Sequence, residues 1–358
     1  MKATSKRGAT TKIDIRDVAT RARVSIATVS RTINYIPTVN PTLAARVWKA
    51  VGELNYFPNT QARALVSGKS KLLGLIVSEI TNPFFPELIH EFEQVAIAKG
   101  YEILIGSTNY EPKTMELCAR RMLERKVDGV AIMTFGVEEF VLDRFIAENT
   151  PITFIDTAAK HPESDTIAVD YRAGIQEGVQ HLAVLGHRKI GFISGPLRLH
   201  SAETRQAAFI ECLRQAGLTV NPEWLIEGNH TLDSGRDAMK KMLALKEQPT
   251  AVMCSNDLTA IGVQHALFEA KLKVPEDFSL IGFDDVHLAE YTIPPLTTVR
   301  MSCKDLAEAA VASLISHMQP ALTKPETPKK TSIPTRLIVR QTTGLPKGAL
   351  SDLSGDAK

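Results

Sequence analysis

Val24-Ser25-Ile26-Ala27-Thr28-Val29-Ser30-Arg31 sets a capping serine ahead of a helix-spaced apolar run, so a tight connection ends at Ser25 and a helix begins at Ile26. That helix reaches Asn34, with Val29 and Ile33 one turn apart on its inner side. Upstream, Asp14 caps a first helix carrying Ile15, Val18, Ala19 and Ala22. Downstream, Asn40 caps a third with Pro41 in its first turn, and Leu43, Ala44, Val47, Val51 and Leu54 supply the core under the other two. This is helix-turn-helix spacing. In such a unit the second helix enters the DNA major groove and its first turn and a half reaches base edges. Those side chains are Ile26, Ala27, Thr28, Ser30 and Arg31. Arg31 can donate two hydrogen bonds to guanine O6 and N7, whereas Ile26 and Ala27 offer apolar contact suited to thymine methyls. Ser25, Thr28, Ser30 and Asn34 are suited to phosphates.

Charge separates this head from the rest of the chain. Through Lys71 there are 13 Lys+Arg against Asp14, Asp17 and Glu53, which leaves 29 of the 42 cations against 37 of the 40 acids. A head of net +10 is thus fused to a body of net −8, the division expected of a polyanion-binding unit on a sensing or catalytic one. With 44% hydrophobic residues, disorder throughout is excluded. No run approaches the roughly 18 apolar residues of a membrane helix. The start, MKATSKRGATTK, has cations without the apolar core of a signal peptide. The expected location is cytoplasmic, with no membrane partner. Cys118, Cys212, Cys254 and Cys303 are scattered without a C-x-x-C pair or nearby His cluster, so reduced core cysteines are expected, with no metal and no cofactor.

From Leu72 short β-rich runs alternate with amphipathic stretches: LLGLIVS (72–78), YEILIGS (101–107), DGVAIM (128–133), ITFID (152–156), IAVD (167–170), KIGFIS (189–194), AVMCS (251–255) and FSLIGFD (278–284). Such βα repetition predicts parallel sheets with helices on both faces. The body is long for one sheet; two similar lobes are expected, with a ligand cleft at the carboxyl ends of the strands.

The run Ile15-Arg16-Asp17-Val18-Ala19, then Val24 to Arg31, then Glu53-Leu54-Asn55-Tyr56-Phe57-Pro58-Asn59 resembles the amino-terminal domain of the lactose/galactose repressor (LacI/GalR) family. One departure is Asp14, where many relatives have Ser or Thr; an anion there is expected to weaken phosphate contact slightly. Residues 58–67, PNTQARALVS, resemble that family's hinge helix, which lies in the minor groove. A segment this short falls below the roughly 12–15 residues an isolated helix needs, so it is expected to be largely unfolded unless supported, and a paired copy and DNA could supply that support. The resemblance makes Leu65 the wedge that enters a base step, Ala62 the point of close approach, and Asn59 and Arg63 groove or backbone contacts.

The resemblance continues into the family's periplasmic-binding-protein-like core through Asn82-Pro83-Phe84-Phe85, Val127-Asp128-Gly129, Gly186-His187-Arg188-Lys189-Ile190 and Gly282-Phe283-Asp284-Asp285. It implies a multidomain chain: a basic arm at 1–12, an all-α helix-turn-helix head at 13–57, a hinge helix and linker at 58–70, and a two-lobed α/β core at 71–345 before a tail at 346–358. Lobe 1 would take about 71–170 and 301–329, and lobe 2 about 171–300 and 330–345, with a last strand from Arg336 to Arg340.

Effector residues follow position by position from the same resemblance. Arg205 matches the family's characteristic ligand arginine, whose planar fork holds a diol or carboxylate. Asp284 and Asp156 end strands at the cleft; Asn256 and Asp257 match a polar pair at another strand end, and Phe84 and Phe85 match apolar walls. Thr134, Ser201 and His230 fall where relatives vary with their ligand. Thr157 and His230 stand at the stacking positions of the purine-responsive branch, which argues for a sugar or sugar acid over a purine. His187 reads as packing, and Asp284-Asp285 as a poor acid/base pair because neighbours at a strand end point opposite ways. No G-x-x-x-x-G-K-[ST], G-x-S-x-G or metal-ligand spacing suggests an enzyme. The expected function is a repressor of transcription, a homodimer or tetramer on a near-palindromic double-stranded operator, controlled by a small molecule between the lobes. A ligand that relieves repression and a corepressor would use the same parts.

Overall fold

A computed structural model describes residues 13–34, 36–57, 68–134, 137–157, 164–318 and 329–347. The chain divides into two compact units, Met1–Ser70 and Lys71–Lys358. In the first, α1 (Ile15–Ala22), α2 (Ile26–Ile33) and α3 (Pro41–Glu53) surround Val18, Val29, Ile33 and Val47. Asp14 accepts the backbone N–H groups of Arg16 and Asp17, while the Asp17 carboxylate takes the Asp14 N–H at 2.8 Å. This reciprocal box satisfies orphan donors at the helix start, which is what an aspartate does there. Ser25 Oγ accepts the Thr28 N–H at 3.1 Å, and Asn40 Oδ1 the Thr42 N–H at 2.9 Å. Arg46 of α3 donates to the Ala22 and Arg23 carbonyls at 2.6 and 3.0 Å, covering the C-terminal carbonyls of α1. The hinge residues Asn59, Ala62, Arg63 and Leu65, the arm at 1–12 and most of the tail lie outside the described residues.

The second unit opens with β1 (Leu72–Val77), α4 (Phe84–Ala98), β2 (Glu102–Ser107), α5 (Pro112–Glu124), β3 (Gly129–Met133), α6 (Glu139–Ala147), β4 (Ile152–Ile155) and β5 (Asp165–Asp170). A second set follows: α7 (Tyr171–Val184), β6 (Ile190–Ser194), α8 (His200–Gln215), β7 (Leu225–Glu227), α9 (Leu232–Leu243), β8 (Ala251–Cys254), α10 (Asp257–Glu269), β9 (Ser279–Asp284) and β10 (Thr297–Met301). The chain then returns through α11 (Cys303–Met318), which packs on α4, and ends its sheet with β11 (Lys330–Ile338). Strand order is β2-β1-β3-β4-β5-β11-β10-β9-β8-β6-β7. Each lobe therefore repeats one winding, and β11 is shared. Residues 330–334 run parallel to β5, and Thr335–Ile338 pair antiparallel with β10. Strands β1–β5 and the first half of β11 thus belong to one end of the sheet, and β6–β10 with the second half of β11 to the other.

Three details differ from the sequence reading. The last strand spans Lys330–Ile338, not Arg336 to Arg340, because its first half completes the lobe 1 sheet. Two strands went unread. β7 has three residues at an edge, too few for alternation to register. β10, Thr-Thr-Val-Arg-Met, mixes polar and apolar residues yet is buried at every position but Arg300. Its first threonine is satisfied by the chain beyond β11, Thr297 N donating to Thr342 Oγ1 at 2.8 Å and Arg340 N to Thr297 Oγ1 at 3.0 Å, and its second donates its hydroxyl to Asp257.

His187 is fully buried, with Nδ1 2.8 Å from Thr250 Oγ1 and Nε2 2.9 Å from both Ser279 Oγ and the Gly344 carbonyl. Burial pushes its pKa down, so the ring is a neutral tie between the ends of three segments. Among the described residues, no helix is long and apolar enough to cross a membrane.

Candidate functional site

Two faces collect the residues singled out above. On the helical unit, α2 turns Val29, Thr32 and Ile33 inward and leaves Ile26, Ala27, Arg31 and Asn34 exposed. Ile26 is 47% exposed at the helix start. Ser25 and Thr28 spend part of their capacity locally, their hydroxyls 2.9 Å apart across the cap. Thr28 and Ser30 are half-buried at the edges of the exposed face.

In the larger unit a cavity of about 430 Å³ opens at the carboxyl ends of the strands, with residues from both lobes on its walls. That volume lies in the range of about 300–1,000 Å³ usual for small-ligand sites. Arg205, on α8, is 5% exposed, and its guanidinium lies 4.1 Å from the Phe283 ring centroid and 4.6 Å from that of Tyr171. It donates to the Ser255 carbonyl and pairs with Asp284 Oδ1 at 3.5 Å. Burial disfavours its charge, but Tyr171, Asp284 and Asp156 more than offset this. Asp156, at the end of β4, accepts the Tyr171 hydroxyl. Burial raises the Asp156 pKa to about 6 against the pull of Tyr171 and Arg205, and that of Asp284 to about 7 against Arg205. His230 is driven the other way, to about 3, by burial and then by Arg205, so it faces the cavity neutral. Its Nε2 lies 2.6 Å from Ser255 Oγ.

The strand ends are bent sharply to deliver these groups. Asp156, His230 and Asp284 have φ of 48°, 67° and 106°, and Tyr110 has 60°. Non-glycine residues in this region carry about 1–3 kcal/mol of strain each, and such strain gathers where side chains must be aimed. A glycine makes room as well: a Cβ on Gly195 would sit 2.0 Å from His230 Nε2.

Asp156 and Asp284 make stability depend on pH with a fixed sign. Their folded pKa values lie above the unfolded value of about 3.9, so their contribution is full below that pH and is lost as pH rises through about 6 and about 7. Melting of the ligand-free protein from pH 5 to pH 8 is expected to show a falling Tm, with a shallower fall in Asp284→Asn. Equal slopes would assign the titration to other groups.

Residues 14–59 match the bacterial regulatory proteins of the lacI family, and residues 179–343 match the periplasmic binding protein-like domain. The HTH-type transcriptional repressor PurR of Aliivibrio salmonicida (strain LFI1238) is 34% identical over 307 residues, covering 85% of this chain and 92% of that one. The Lac repressor dimer bound to operator and the anti-inducer ONPF has a TM-score of 0.81 at 28% identity, over 93% of this chain and 100% of that one. A LacI family transcriptional regulator from Enterococcus faecium with bound ribose gives 0.69 at 25% identity, over 77% and 100%. The chain belongs to the LacI family. It is a DNA-binding transcriptional repressor of that family, not an enzyme.

Within this LacI-family core the residues expected at the effector site are largely brought together. Arg205, Asp284, Asp156, His230 and Ser201 line the cavity, as do Phe84, Phe85, Thr134 and Asn256 from other strand ends and helix starts. Thr134 Oγ1 lies 3.0 Å from Thr108 Oγ1, so part of its capacity is used internally. Asn256 caps α10 through Thr259 N and donates to the His230 carbonyl at 3.0 Å. Asp257 does not reach the cavity. Its carboxylate turns inward, accepting the Val286 N–H at 2.9 Å and the Thr298 hydroxyl at 2.5 Å. The sequence reading missed Tyr110, which lines the cavity and donates to Glu79 Oε1 at 3.1 Å. Its signal was available: Tyr110 follows the end of β2, the same kind of position as Asp156 and Asp284 occupy.

Proposed function

We propose that this LacI-family repressor acts in the cytoplasm as a homodimer on a near-palindromic operator, reading it with paired α2 helices and paired hinge segments. A small polyhydroxylated molecule, a sugar or sugar acid, binds between the lobes and sets operator affinity. The observation that carries the ligand reading is the buried Arg205–Asp284 pair facing the cavity beside Asp156, an alternation of donors and acceptors suited to vicinal hydroxyls. An aromatic heterocycle is the second reading, favoured by Phe84, Phe85 and Tyr110 on the same walls. Ligand binding need favour one lobe arrangement by only about 1–3 kcal/mol to give a useful response.

Selection of bound sequences from a random duplex pool at fixed salt tests the DNA half, and calorimetry against sugars, sugar acids and nucleobases tests the other. An enriched palindrome with a flexible pyrimidine–purine centre is expected. No enriched site, with or without added metabolites, would overturn the reading. On the selected operator, Arg31→Ala should lose about 1–3 kcal/mol and relax preference at one base position. Uniform weakening across sequences would make Arg31 a phosphate contact instead.

A further inference from the structure

At the end of β9, successive residues are tied to different elements. Asp284 faces the cavity and pairs with Arg205 of α8. Asp285 turns the other way, to Arg300 of β10 and, at 2.7 Å, to Arg340 just beyond β11. Val286 donates its N–H to Asp257 at the start of α10. His287 donates its N–H to Glu87 Oε1 at 2.9 Å, 200 residues away in the first turn of α4. The first three ties lie in lobe 2 and at the crossover strands; the fourth reaches lobe 1. Both aspartates have positive φ, 106° and 59°, so the segment is bent to make these connections at once.

Glu87 shares its helical turn with Phe84 and Phe85, which line the cavity. The hydrogen bond thus joins the cavity wall of one lobe to the strand end that carries Asp284 in the other. A carboxylate accepting a backbone N–H is a charge-assisted contact, stronger than a neutral one. Burial raises the Glu87 pKa, the His287 amide and ring lower it and Asp285 raises it again.

We infer that Glu87 is a positioning residue for the effector response: its bond to the His287 amide latches lobe 1 to residues 284–287 and so couples the cavity to the angle between the lobes. The consequence for ligand response rests on the effector site proposed above. The latch itself does not, and is tested on ligand-free protein. Glu87→Ala removes the acceptor, whereas Glu87→Gln keeps a carbonyl oxygen in its place.

Hydrogen exchange of the full-length protein, followed in the peptide spanning residues 285–291, is expected to quicken about tenfold in Glu87→Ala and to stay near wild type in Glu87→Gln. Operator affinity without any added small molecule should shift in the Ala variant and recover in the Gln variant. Unchanged exchange in Glu87→Ala overturns the latch. So does equal quickening in the two variants, or quickening spread evenly through both lobes, which would mark a general loss of stability. A cavity that binds no small molecule would overturn the effector reading and leave the exchange result standing.

Discussion

Arg205→Ala is expected to abolish the response to effector while leaving the affinity of the ligand-free protein for its operator within about threefold, because the helical unit has a separate core. The larger unit should lose stability. Without the guanidinium, Asp156 and Asp284 share a buried wall with no cation between them, and breaking a buried pair on one side costs about 3–5 kcal/mol. The loss should depend on pH. Both carboxyl pKa values are already raised, to about 6 and about 7, and rise further in the variant. Protonation then relieves much of the cost, so the deficit is larger at pH 8 than at pH 5. Urea unfolding at the two pH values, with operator titrations in the presence and absence of effector, reads both effects. Arg205→Lys should recover part of the stability but little of the response, because an ammonium lacks the planar fork that stacks on Phe283. A normal response in Arg205→Ala would move the effector site elsewhere.

Gly262→Ala should be among the most destabilising single-methyl changes in the molecule. A Cβ at Gly262 would lie 2.0 Å from the Leu232 carbonyl oxygen, and one at Gly235 would lie 2.1 Å from that of Thr259. Helices α9 and α10 therefore cross with backbone against backbone, and a backbone carbonyl has no rotamer by which to step aside. The helices must separate, opening the packing of Met239, Ala260 and Val263 behind them. A loss of about 3 kcal/mol or more is expected. The cavity should suffer as well, since the Asn256–His230 hydrogen bond joins the starts of the same two helices. Gly52→Ala is the natural comparison. Among the described residues, nothing outside its own helical turn lies within 4 Å of its would-be Cβ in helix α3, so it should gain up to about 1 kcal/mol from helix propensity. Thermal melts of the two variants should move in opposite directions, and a Gly262→Ala protein that melts with wild type would refute the close crossing.

What the sequence revealed and what it hid divide along physical lines. Ser25, Asn40 and Asp14 announced their helices because a cap acts within three residues of itself. Most strands of the core were legible as apolar runs, whereas Asp156, Asn256 and Asp284 at their ends were singled out by the family resemblance. Asp257 stands beside Asn256 and shares its polar character. Yet the first turn of a helix sends neighbouring side chains different ways, and Asp257 went inward to Thr298. Tyr110 was passed over because its position was not weighed, not because the signal was lacking. Glu87 could not have been found. Its partner is a backbone amide 200 residues on, and no local pattern encodes it. β10 was hidden for the same reason, Thr297 being satisfied by residues beyond β11 and Thr298 by Asp257.

The shared strand β11 has a consequence for how the molecule comes into being. During synthesis β1 to β5 emerge first, but β5 remains an open edge until residues 330–334 arrive to pair with it. Most of lobe 2 is made in between. Lobe 1 thus waits through the synthesis of residues 171–329 with an unpaired strand able to accept another chain, and a ribosome stalled beyond Met301 leaves a second lobe nearly whole beside a first that is unfinished. Pulse proteolysis of nascent chains should find lobe 1 protected only after β11 has left the exit tunnel.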